Sequence, residues 1–292
     1  MSALEAAVER VWPGKEARVE ILGGGITNHN LKVEVDGEVF VLRVAGKDTN
    51  LLGIDRSIEL AATEAAAAVG IGPDVVAFVE PEGWLVTRFI SGETPGLRRM
   101  REPEMLGRVA RALRAFHESP AIPGSFDSFR VVEMYRETAL ARGGTIPEAY
   151  EWARGIAQRI EALRGDVTLR PCHNDLLNAN FLDDGEHLRI VDWEYAGMGD
   201  VFFDLANFSI NHELDTTASA VLLEEYFGEV CPADVRALEL MRFMSDFREA
   251  MWGVVQTAVS ELDFDFLGYA SEHFERLERT AAELDLRAPA DA

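Results

Sequence analysis

Positive charge is scarce in this 292-residue chain, where 28 Lys and Arg face 51 Asp and Glu for a formal charge of −23 at pH 7. Lysine is scarcer still, with Lys15, Lys32 and Lys47 the whole set. That balance excludes nucleic acid as a partner, because a phosphodiester backbone demands a basic face. It suits a cationic one. Cysteine is limited to Cys172 and Cys231, far apart, which excludes a disulfide framework and any metal-ligand spacing. No apolar run is long enough to span a bilayer, so membrane insertion is not expected. Leu4, Ala7, Val8 and Val11 pattern the N-terminus as an amphipathic helix rather than a signal peptide, and a cytoplasmic location is expected. Repeats and low-complexity tracts are missing too. Apolar residues make up 48% of the chain, enough for one large domain or two smaller ones.

Against that background residues 171–204, PCHNDLLNANFLDDGEHLRIVDWEYAGMGDVFFD, stand out. His173, Asp175 and Asn180 precede a short apolar strand at 188–191, which delivers Asp192 at its end and Glu194 just beyond. Asp183, Asp184 and Gly185 predict a hairpin turn that folds the loop carrying Asp175 and Asn180 back against Asp192. Polar loops of this kind are usually turns and helix caps. The joint order of H-x-D-x-x-x-x-N, hairpin, apolar strand and D-x-E points instead to phosphoryl transfer onto a hydroxyl. Such a site needs one carboxylate to orient the attacking hydroxyl. It also needs an amide oxygen and a second carboxylate to hold magnesium on nucleotide phosphates. Asp175, Asn180 and Asp192 are the right types in the right order.

The stretch resembles the catalytic core of the choline/ethanolamine kinase family, within the aminoglycoside phosphotransferase superfamily and related to protein kinases. The resemblance implies an α+β, bilobal protein-kinase-like fold. A small N-terminal lobe, 1–91, would carry a five-stranded antiparallel sheet and bind nucleotide. A mainly helical lobe, 92–292, would hold the catalytic and substrate residues. By the same resemblance Asp175 is the catalytic base and Asn180 and Asp192 are the Mg2+ ligands. Asp204 is then a buried carboxylate that hydrogen-bonds the catalytic loop.

Strands are expected at 19–22, 31–35 and 39–44, with Asp36-Gly37 as a hairpin turn, and at 75–79 and 84–90. Glycines in the first turn suit a loop lying over phosphates. The family's G-G-x-[ST]-N loop marks Gly24, Gly25, Thr27 and Asn28 as phosphate contacts. Arg43 could simply point to water from its strand. Its position resembles that of the family's Lys or Arg that grips the nucleotide phosphates. A helix at 56–69 offers Glu59 as the partner of Arg43, with Glu64 as competitor. Phe89 and Ile90 fall, by resemblance, in the hinge whose backbone pairs with adenine. A helix at 102–117 ends on a structural His117. Residues 121–147 read as loop-rich, followed by helices at 147–163, 205–214, 217–227 and 233–262 and a final one.

Residues 249–274 are similar to the C-terminal end of choline and ethanolamine kinases. Quaternary ammonium groups offer no N–H, so proteins hold them with aromatic faces. Trp252 matches the second Trp of that family's W-x-x-W cage, although a Trp on an apolar helix also fills core volume. Glu249 stands where the first would be, leaving room for a protonated amine that Glu249 would hydrogen-bond directly. Tyr195, Phe208 and Asp246 are further pocket candidates, and Glu194 either assists magnesium or orients the substrate. The expected activity is ATP- and Mg2+-dependent phosphorylation of a small cationic amino-alcohol, choline first, by a monomer or homodimer. Ethanolamine, thiamine and an aminoglycoside are the other acceptors, and a nucleotide-binding regulator without turnover is the rival outside the enzymes.

Overall fold

Alternation of apolar and polar residues builds the N-terminal sheet. In the computed structural model, which describes residues 3–23, 28–46 and 48–284, β1 (Ala17–Leu22) pairs with β2 (Asn28–Val35) and β2 with β3 (Glu38–Ala45). Leu31, Val33 and Val35 of β2 turn inward while Lys32 and Glu34 take the more exposed face, the two-residue period of a half-buried strand. Asp36 and Gly37 both adopt positive φ, 53° and 81°, as the tightest hairpin turn requires. Strands β4 (Val75–Val79) and β5 (Trp84–Arg88) complete an antiparallel sheet of order β1-β2-β3-β5-β4. Helix α1 (Ala3–Val11) lays Ala7 and Val8 over Leu31, Val33, Phe40, Leu42 and Val86. Each fully buried aliphatic side chain of this kind contributes about 1.5–3 kcal/mol. Helix α2 (Arg56–Ala68) starts at Asp55, whose carboxylate accepts from the Ser57 N–H at 2.8 Å. Its Ala62 and Ala66 belong to the larger core below the sheet.

That larger core is helical. It comprises α3 (Leu97–Met100), α4 (Pro103–His117), α5 (Ser128–Ala141), α6 (Ala149–Arg164), α7 (Val201–Asn211), α8 (Thr216–Phe227), α9 (Pro232–Val259) and α10 (Phe266–Glu283). Between α6 and α7 run four three-residue strands: β6 (Arg170–Cys172), β7 (Phe181–Asp183), β8 (Leu188–Ile190) and β9 (Gly197–Gly199). β7 and β8 form the expected hairpin, and β6 pairs with β9. Helix α9 is the axis of this region, packed against α5, α7 and α10 and buried on nearly every face from Ala237 to Gln256. Among the described residues no helix is long and apolar enough to cross a membrane.

The segment expected to be loop-rich holds α5. Asp127 caps it through the N–H groups of Phe129 and Arg130, and Val132, Tyr135 and Ala139 bury against the core. Only one narrow stripe of apolar residues marks it, which is why the pattern is weak. Helix α7 begins four residues earlier than expected because Asp200 caps it, accepting from the Phe202 N–H at 3.0 Å.

Candidate active site

The loop between β6 and β7 is held by carboxylates and amides placed on the surrounding helices. Asp204, fully buried on α7, accepts from the His173 N–H at 2.8 Å and the Asn174 N–H at 2.7 Å. Its second partner on that side is His117 Nε2 at 3.0 Å, and His117 Nδ1 meets the Tyr226 hydroxyl at 2.7 Å. Burial pushes the Asp204 carboxyl up, but the hydrogen bond and charge of His117 outweigh it and hold the group below its ordinary value. Asn207, one turn on, accepts from the Leu176 N–H at 2.6 Å and donates to Ser245 Oγ of α9 at 3.0 Å. His173 bridges the loop to β8: Nε2 lies 3.0 Å from the Val191 carbonyl, and Nδ1 accepts from the Asp175 N–H at 3.1 Å. Burial lowers the His173 pKa, so the ring stays neutral and each nitrogen keeps one role.

Asp175, Asn180 and Asp192 meet on this frame. The Asn180 side-chain N–H donates to the Asp175 carbonyl at 2.8 Å, and the Val191 N–H donates to the Asn180 carbonyl at 2.9 Å. Asn180 therefore ties the residue before Asp192 to Asp175, and its amide oxygen is the group left to face a cation. Asp192 sits at φ 69°, a left-handed conformation that Asp tolerates better than most residues. An amide oxygen and a carboxylate suit a hard cation such as magnesium. Burial pushes the Asp175 carboxyl up, and Glu249, Asp192 and Glu194 add to the rise against the pull of Arg248, bringing it to about 7.

Above this floor lies a cavity of about 360 Å³ walled by Leu22, Val41, Leu85, Ile90 and Leu182. Arg43, Glu59, Asn180 and Asp192 line its polar end. Arg43 Nη1 lies 2.8 Å from Glu59 Oε1 and 2.6 Å from Asp192 Oδ1. Glu64 is exposed and makes no such pair among the described residues, so Glu59 is the partner. Burial alone would lower the Arg43 pKa, yet Asp192, Glu59 and Glu194 raise it well above the usual range. Arg56 Nη1 bridges Glu59 at 2.6 Å and Glu194 at 3.1 Å, and its Nη2 donates to Asn28 Oδ1 at 2.8 Å. Asn28 Nδ2 in turn donates to Glu194 Oε2 at 2.7 Å. Glu194 is thus joined to the sheet through Asn28 and to α2 through Arg56. Phe89 lines the cavity too, though its N–H is committed to the Val39 carbonyl at 3.1 Å. Gly24, Gly25 and Thr27 lie outside the described residues.

On the far side of Asp175 an aromatic group collects. Trp252 Nε1 donates to the Tyr195 hydroxyl at 3.0 Å, and the Trp252 ring stands edge-on to Phe266 and Tyr269. Glu249 is turned inward: Oε1 accepts from Arg248 at 2.5 Å and Oε2 from the Tyr269 hydroxyl at 2.7 Å. With 2% exposure it is not presented to an amine as the sequence led us to expect. Two other pocket candidates are corrected. Phe208 is fully buried, packed against Phe181 and His212 in the core. Asp246 is fully buried as well and anchors α10 through His273 at 2.9 Å and Arg276 at 3.0 Å. Arg56, Arg248 and Tyr269 were not singled out from sequence. The available signals were an Arg three residues before Glu59 and an Arg-Glu pair inside the apolar run of α9.

The family model described as choline/ethanolamine kinase matches residues 19–222. The chain belongs to the choline/ethanolamine kinase family. That is a family of phosphotransferases acting on alcohol hydroxyls. The chain is 29% identical to protein LicA of Haemophilus influenzae over 211 residues, 70% of this chain and 62% of that protein's length. It is 28% identical to a probable ethanolamine kinase of Arabidopsis thaliana over 288 residues, 86% of this chain and 76% of the relative. Among solved structures, a choline/ethanolamine kinase family protein from Mesorhizobium loti superposes with a TM-score of 0.81 at 30% identity, covering 98% of both chains. A GDP complex of aminoglycoside 2'-phosphotransferase-IIIa superposes with a TM-score of 0.69 at 17% identity, over 97% of this chain and 99% of that one, a likeness of fold alone. The fold is accordingly the bilobal, protein-kinase-like one expected from sequence.

Proposed function

We propose that the protein transfers the γ-phosphoryl group of ATP, carried with Mg2+, to the hydroxyl of a small amino-alcohol, choline first. The observation that carries the reading is the double tie made by Asn180, to Asp175 through its side chain and to the strand end bearing Asp192 through its backbone. Asp175 accepts or orients the acceptor proton, and Asn180 and Asp192 hold the cation. A magnesium ion held there would supply positive charge against the charge that develops on the transferring phosphoryl group. Arg43 and Asn28 face the phosphate end, and Phe89 and Ile90 border the nucleobase end. Residues 1–91 then serve nucleotide binding and residues 92–292 catalysis and acceptor binding. Reaction depends on positioning and charge, with no covalent intermediate on the protein.

Choline is favoured over a primary amine by the acceptor side. Trp252 and Tyr269 bring aromatic rings to that side, whereas a face of Tyr195 is taken by Arg248 and both oxygens of Glu249 already accept hydrogen bonds. The test is ADP release by the purified chain with choline, ethanolamine, thiamine and an aminoglycoside, each with and without Mg2+. Choline-dependent, Mg2+-dependent ADP is expected. ADP release indifferent to every acceptor, or none at all, would refute the reading.

A further inference from the structure

We propose that Arg248 is a positioning residue for Asp175, fixing the orientation of its carboxylate so that one oxygen is left for the acceptor hydroxyl. The inference rests on the assignment of Asp175 as the base. Arg248 sits on α9, 73 residues along the chain from Asp175, and is only 1% exposed. Its Nη1 lies 3.1 Å from Asp175 Oδ1 and 2.5 Å from Glu249 Oε1. The guanidinium lies over the Tyr195 ring, 4.4 Å from its centroid. Among the described residues Nε and Nη2 are buried without a hydrogen-bond partner of good geometry, the Tyr135 hydroxyl lying nearby.

That arrangement is a poor one for stability alone. A buried guanidinium with two unsatisfied donors is costly, and replacing a buried ion pair by apolar residues is often neutral or favourable. The Arg248 side chain meets Asp175, Glu249 and the Tyr195 ring, so removing Arg248 alone would leave two buried carboxylates without their cation, a cost that neutralising Glu249 together with it reduces. What Arg248 supplies is direction. The backbone of Asp175 is fixed at both ends, its N–H on His173 and its carbonyl on Asn180. Its carboxylate is fixed only by Arg248, among the hydrogen bonds of the described residues. Arg248 itself cannot swing, because Glu249 is held by Tyr269 and Tyr195 is held by Trp252. The aromatic acceptor side and the base are therefore joined through one planar, permanently charged group, a geometry that Lys does not reproduce.

The test compares Arg248→Met, Arg248→Lys and the double variant Arg248→Met/Glu249→Gln with wild type, measuring kcat and KM for choline-dependent ADP release, ATP affinity and thermal melting. A base displaced by about an ångström loses on the order of 100-fold in rate. That loss is expected in kcat for Arg248→Met, with ATP affinity unchanged and Arg248→Lys in between. The double variant, which removes both charges of the pair, is expected to melt near wild type while kcat stays low. It keeps the test valid if the single Met variant does not fold. A folded variant lacking Arg248 with wild-type kcat overturns the proposal, as does recovery of kcat together with melting temperature in the double variant. Asp175→Asn run in parallel separates the two claims: if it loses turnover while the Arg248 variants keep theirs, only the positioning role fails. If it keeps turnover, the base assignment fails and the proposal with it.

Discussion

Replacing Asp204 by Asn should loosen the loop that carries Asp175 without touching any group in the cleft. The carboxylate accepts three hydrogen bonds, from the N–H groups of His173 and Asn174 and from His117 Nε2. An amide retains one oxygen. If that oxygen stays on Asn174, the new NH2 group faces two donors that lose their acceptor. An unsatisfied buried donor costs about 1–3 kcal/mol, while the neutral amide is easier to bury than the carboxylate, so a net loss of about 3 kcal/mol is expected. At about 2–4 °C per kcal/mol for a chain of this size, melting should fall by about 6–12 °C. The native pKa of Asp204 lies below its unfolded value of 3.8. Its stabilisation is therefore present above about pH 4 and is lost as pH falls through the lower native value, so the gap between wild type and variant should close in acid. Urea denaturation across that pH range, with choline-dependent turnover measured on the folded protein, gives both quantities. A variant melting within about 2 °C of wild type, with unchanged turnover, would refute the account of how the loop is held.

Three further outcomes follow from the same geometry. Glu59→Gln weakens the support of Arg43 and should lower turnover about 10–100-fold, whereas Glu64→Gln should leave it unchanged; equal effects in steady-state kinetics would contradict the pairing at 2.8 Å. A Cβ at Gly92 would lie 2.9 Å from the Asp183 carbonyl oxygen, where the linker after β5 bonds to β7. Gly92→Ala should therefore weaken nucleotide binding and cost about 1–3 kcal/mol of stability, and an unaltered nucleotide dissociation constant would count against the close approach. The native pKa of Asp175, about 7, stands above its unfolded 3.8, so its contribution to stability is complete below the lower value and lost as pH rises through the upper one. Ligand-free wild type should lose stability relative to Asp175→Asn between about pH 4 and about pH 7, and a constant difference in urea midpoints would contradict the buried, acid-crowded setting of Asp175.

Much of the molecule is legible in the chain because its chemistry is local. Asp175, Asn180 and Asp192 fall within one loop and the hairpin behind it, and the turn at Asp183–Gly185 that joins them follows from residue type. The sheet is equally readable, since period-two burial and an Asp-Gly turn leave a strong trace. Contacts across the fold leave none. Arg56 reaches Glu194 over 138 positions and Arg248 reaches Asp175 over 73, and neither separation carries a pattern. Phe208 and Asp246 were misjudged for a related reason. Helices α7 and α9 are buried on nearly all sides, so helical periodicity does not distinguish a residue facing the cleft from one facing the core. Phe208 turned to Phe181 and His212, and Asp246 to His273 and Arg276. Helix α5 escaped because its buried stripe is narrow and polar residues interrupt it.

The most direct measurement is the turnover of Asp175→Asn with saturating ATP, Mg2+ and choline, set beside its ATP affinity. ATP affinity within about threefold of wild type and turnover lower by several orders of magnitude are the predicted pair. Wild-type turnover in a variant that binds ATP normally would contradict the claim that this carboxylate, held between His173, Asn180 and Arg248, receives the acceptor's proton.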